Sequence, residues 1–160
     1  KFSPHVTIVG GIRVDSEEEI KALSKRLRDG LANFGTVECN FKDIIQEPTC
    51  WNQALIIEMN PSERFLELCR VTRRILNMEL ETIAFPLPAG VPHMSLFYGD
   101  SPWSDAHPAT NQEFLSRIFD NNGRDDQRSF QAHRVMLWKT DPPSAVGVPE
   151  WEPMADISLL

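Results

Sequence analysis

The sequence predicts an α+β protein on three observations. Two short segments alternate apolar and polar residues at strand period, two longer ones carry apolar stripes at helical period, and each half runs motif strand, polar turn, helix, strand. The expected architecture is therefore bilobal: two lobes duplicated about a pseudo-twofold, their antiparallel sheets lined against each other and the helices outside. One bilobal domain over residues 1–160 is expected, because 160 residues of which 41% are hydrophobic suffice for one packed core or two intimate lobes.

The first motif strand lies in "FSPHVTIVGG". After it, Ser16 and Glu19 form a capping box, and Ile20, Leu23, Leu27, Leu31 and Phe34 fall on one helical stripe, with Gly35 as the stop. Strands are predicted over Val37 to Ile45 and Gln53 to Met59, separated by a Pro-Thr-Cys-Trp-Asn turn. A second helix follows, with Asn60 as cap, Pro61 at its first position, and Phe65, Leu68, Cys69, Thr72 and Leu76 on its stripe. "FPLPAGVP" holds the backbone extended, because each proline biases its predecessor out of the helical region, and so connects the lobes. The second motif strand, "VPHMSLFYGD", leads to a short helix around Gln112 to Phe119 and a break at "NNGRDDQ". Two strands joined by a Pro/Gly-rich loop, "DPPSAVGVPE", make up the tail, where Trp138 and Trp151 alternate with apolar residues and read as core.

Composition narrows the function. Sixteen basic against 23 acidic residues leave a net charge of −7, which argues against a sequence-independent grip on long nucleic acid but leaves room for a small anion in a locally basic pocket. Arg13, Lys42 and Arg134 could each supply such charge, although a solvated surface cation is the default for any one of them. No apolar run approaches the roughly 18 residues needed to cross a bilayer, so no membrane partner is expected. Cys39, Cys50 and Cys69 lack CxxC spacing and fit reduced thiols of a cytoplasmic, monomeric protein better than a zinc ribbon or a disulfide scaffold.

Chemistry is concentrated in the two motifs. Pro4-His5-Val6-Thr7 and Pro92-His93-Met94-Ser95 share the pattern Pro-His-any-Ser/Thr, which this composition would produce by chance roughly 0.03 times. His107 and His133 lack the hydroxyl partner two residues on. On a strand, His93 and Ser95 share a face, as do His5 and Thr7. A lone histidine on a strand is ordinarily structural; two matched ones can hold a neutral base and a protonated acid around one phosphorus while the hydroxyls bind its non-bridging oxygens. Strand alternation puts Tyr98 on the face opposite His93, so its approach to the motif face needs a twist or a bulge.

These residues resemble the 2H phosphoesterases, defined by two His-x-Ser/Thr motifs, here 88 positions apart (93 − 5). "FSPHVTIVGG", "VPHMSLFYGD" and the tail "FQAHRVMLWKTDP" with "WEPMADISLL" resemble the eukaryotic cyclic phosphodiesterase branch over most of the chain. The resemblance implies a central water-filled cleft and hydrolysis of ADP-ribose 1″,2″-cyclic phosphate or a nucleoside 2′,3′-cyclic phosphate, with no metal or cofactor. It implies His93 as base, His5 as acid, Thr7 and Ser95 as phosphate clamps, Tyr98 as a further donor and Trp51 as a stacking aromatic. Members of the branch usually carry a strand and a helix before the first motif, so the first sheet is expected to be one strand short in a chain numbered from Lys1. Alternatives are a module of the same fold that binds nucleotide phosphates or RNA ends without turnover, and a zinc protein using His5, His93 and a cysteine or carboxylate.

Overall fold

The order along the chain is α1 (Glu17–Leu31), β1 (Val37–Gln46), β2 (Leu55–Asn60), α2 (Glu63–Ile75), β3 (His93–Phe97), β4 (Ser129–Ala132), β5 (Arg134–Lys139), a 3-10 segment (Ala145–Glu150) and β6 (Glu152–Ser158). This is a computed structural model, and it describes residues 4–46, 55–77, 92–98, 129–141, 143 and 145–160. The fold is α+β, and every strand pair among the described residues is antiparallel: β3-β2-β1-β4 form one sheet and β5-β6 another. The predicted helix at 112–119 and most of the connector lie outside the described residues, so the pseudo-twofold duplication is not traced. No described helix is long and apolar enough to cross a membrane.

Local chemistry starts both helices. Ser16 caps α1 by accepting from the Glu19 N–H at 3.2 Å, and the Glu19 carboxylate reaches back to the Asp15 N–H at 2.7 Å. The helix ends earlier than Gly35, at cap Ala32, because Asn33 turns into the left-handed region at φ 62°. The cap of α2 is Ser62, which accepts from the Phe65 N–H at 3.1 Å; the predicted cap, Asn60, instead ends β2, since its backbone is taken by the ladder to Asn40.

One apolar core joins both sheets to both helices. Leu23, Leu27 and Leu31 of α1 and Phe65, Leu68 and Cys69 of α2 meet the alternate residues Val37 and Cys39 of β1, Ile57 and Met59 of β2, and Ala155 and Ile157 of β6. Val6, Ile8, Met94 and Leu96 pack against the same core, which fixes the apolar face of both motif segments. The tail is fastened through Leu159, whose N–H donates to the His133 carbonyl at 2.9 Å while its own carbonyl accepts from Gly35 at 2.6 Å. Trp138 and Trp151 are half-buried and stand outside that core, a correction to their sequence reading. Alternation accounts for Trp138: Val135 and Leu137 of β5 pack against the core, and the neighbouring Trp138 falls on the other face.

Candidate functional site

The site is built on β3. Across β2, His93 faces Glu58, Met94 faces Ile57 and Ser95 faces Ile56. The Met59 N–H donates to the Pro92 carbonyl at 2.8 Å, so 59/92 is a hydrogen-bonded pair, completed on one side only because proline has no N–H. The next pair, Glu58/His93, is consequently of the non-hydrogen-bonded kind, with Cα atoms about 4.5 Å apart and side chains at their closest.

On the other side of β3, Val6 bridges Met94 in antiparallel sense. The first motif thus forms one isolated bridge, less than the strand the sequence predicts. That bridge nevertheless sets the geometry. Its flanking residues stand across from one another, His5 opposite Ser95 and Thr7 opposite His93, while Val6 and Met94 turn to the core. His5, Thr7, His93 and Ser95 therefore share the opposite face, with His5 and His93 as diagonal cross-strand neighbours, a relation in which Cα atoms stand about 7 Å apart. His93 is 7% exposed; His5, Thr7 and Ser95 are half-buried, and fully buried Ile56 provides an apolar floor beside Ser95.

Tyr98 reaches this face by the bulge that alternation demands. Leu55 faces Phe97 and Ile56 faces Ser95, so Leu96 is an extra residue on β3 and the alternation inverts beyond it. The Ser95 and Tyr98 hydroxyls share a hydrogen bond, and the Tyr98 ring meets Trp151 edge-on at 6.1 Å and 81°. Burial pushes the Tyr98 phenol up from its ordinary value, with the Ser95 bond opposing, so it stays protonated near neutral pH. Trp51 and His107 lie outside the described residues, and His133 is exposed at the break between β4 and β5.

Lys42, one of the predicted basic candidates, and Glu58, which had no predicted role, complete the face. Lys42 Nζ lies 2.6 Å from Glu58 Oε1, and Glu58 is both the cross-strand neighbour of His93 and 9% exposed. A signal existed: Glu58 is a carboxylate inside "LIIEM", a run otherwise apolar and buried. Of the other basic candidates, Arg134 pairs with Asp156 at 3.4 Å and Arg13 is exposed. Among the described residues, no group of three or more His, Cys, Asp or Glu side chains is placed to hold a metal ion. Cys39 and Cys69 are buried core thiols away from the motif face.

Paired His-x-Thr/Ser segments side by side on one face of an antiparallel α+β fold are the arrangement expected of a 2H phosphoesterase. The chain belongs to the cyclic phosphodiesterase-like protein family, whose model matches residues 1–159. Membership supports hydrolysis of cyclic phosphates in general. A search of curated proteins finds no match.

Proposed function

We propose that the protein hydrolyses ADP-ribose 1″,2″-cyclic phosphate or a nucleoside 2′,3′-cyclic phosphate to a phosphomonoester by paired-histidine acid/base catalysis, as a cytoplasmic monomer. The observation that carries the reading is the Val6–Met94 bridge, whose antiparallel register supports a shared face for the two histidine motifs. His93 takes a proton from water as the water oxygen bonds to phosphorus. The bond from phosphorus to the ribose 2-position oxygen breaks, and His5 protonates that oxygen as it leaves. Thr7 and Ser95 donate to the non-bridging oxygens as charge builds on them, and the Tyr98 phenol orients Ser95. Trp51, on the connection between β1 and β2, is assigned to stacking on the base or sugar.

Purified protein incubated with 2′,3′-cyclic AMP and with ADP-ribose cyclic phosphate, its products read by phosphorus NMR, tests this. His5→Ala and His93→Ala should each slow turnover on the order of a hundredfold or more, and EDTA should leave the rate unchanged. Undiminished turnover in both variants, or binding without turnover by the wild type, would end the catalytic reading.

A further inference from the structure

We propose that the Lys42–Glu58 ion pair sets the charge beside His93, with Glu58 as a positioning residue acting on the imidazole from the adjacent strand. This deepens the phosphodiesterase reading and rests on it for its place in the reaction. The argument begins with cost. A carboxylate taken out of water in the middle of a buried apolar strand is unfavourable unless it is compensated, so Glu58 is a position where stability alone favours an apolar residue. Compensation is built in: β1 slips register between Phe41 and Asp43, and Lys42, the extra residue of that bulge, returns its ammonium to Glu58 at 2.6 Å.

The pair stands where it acts on His93. Glu58 and His93 form a cross-strand pair of the closest kind, on the face shared with Thr7 and Ser95. Among the described residues, the titratable or charged groups on this face around His93 are Glu58 from β2, Lys42 and Asp43 from β1, His5 from the first motif and, through Ser95, Tyr98. Both helices pack against the opposite, apolar face. A carboxylate at this position favours the imidazolium that forms when the ring accepts a proton. The Lys42 ammonium, 2.6 Å from Glu58 Oε1, tempers that pull.

The two charges therefore oppose one another in their effect on the ring. NMR titration of the His93 ring, assigned by its loss in His93→Ala, should show the midpoint moving to lower pH in Glu58→Gln and to higher pH in Lys42→Met, each by about half a pH unit or more. The same limb of the pH–rate profile should move in those two directions. Glu58→Gln is isosteric and Lys42→Met keeps the alkyl stem, so dispersed spectra should report a retained fold. An unmoved midpoint in Glu58→Gln, or shifts of the same sign in both variants, overturns the proposal. Because the ring titrates whether or not substrate turns over, an inactive wild type would sink the catalytic reading while leaving this measurement decisive.

Discussion

Cys39 and Cys69 show how burial alone sets a residue's chemistry. Burial pushes the Cys39 thiol from its ordinary 9.0 to about 11, with the nearby Glu38 charge adding to the effect. Burial likewise pushes Cys69 to about 11, against the opposing charges of Arg73 and Arg70. Neither is a nucleophile at neutral pH. The folded state thus resists ionisation that the unfolded chain undergoes. Its stability from these thiols is complete below about pH 9 and is lost as pH rises toward about 11. Urea unfolding midpoints at pH 8 and pH 10.5 should differ more in the wild type than in a Cys39→Ala, Cys69→Ala double variant, whose overall stability will be lower at both.

At the scale of elements, the helices were legible and the pairings were not. The stripes on α1 and α2 named Leu23, Leu27, Leu31, Phe65, Leu68, Cys69 and Thr72 correctly as buried, because helical period depends only on neighbours along the chain. Strand register depends on residues far apart, so the bulge at Lys42 could not be read from "NFKDII", and the one at Leu96 was visible in "MSLFYG" only as the twist or bulge that Tyr98 would need. The Lys42–Glu58 pair escaped for the same reason, its partners being 16 positions apart. The face of His93 and Ser95 was legible from alternation, but the approach of Tyr98 was not. Capping gives this scale its own measurement. Ser62→Ala should cost about 1 kcal/mol in chemical unfolding, and Asn60→Ala, which removes no cap, distinctly less.

Across the whole molecule, the tail binds the two sheets to each other. β4 pairs with β1 and β5 with β6, yet the two are consecutive, so the stretch from Ser129 to Lys139 crosses from one sheet to the other at His133. Leu159, bonded to both His133 and Gly35, closes that crossing onto the end of α1. The molecule as a whole is acidic, at −7, and its cations include Lys42 and Arg134, each already paired with a carboxylate. Such a surface does not accumulate the phosphate contacts that hold long polyanions. Fluorescence anisotropy in 150 mM salt should therefore show no binding of a duplex or of a 20-nucleotide RNA ending in a plain hydroxyl. Micromolar binding of either would shift the assignment toward RNA ends.

The extra residue at Leu96 carries a lesson about reading such proteins by their letters. Two chains can spell the same histidine, serine and tyrosine and still differ in phase. In one lacking the insertion, the tyrosine would be turned into the hydrocarbon interior and lost to the anion. What a pattern of one-letter codes leaves out here is parity, and parity decides which side of the sheet the phenol serves.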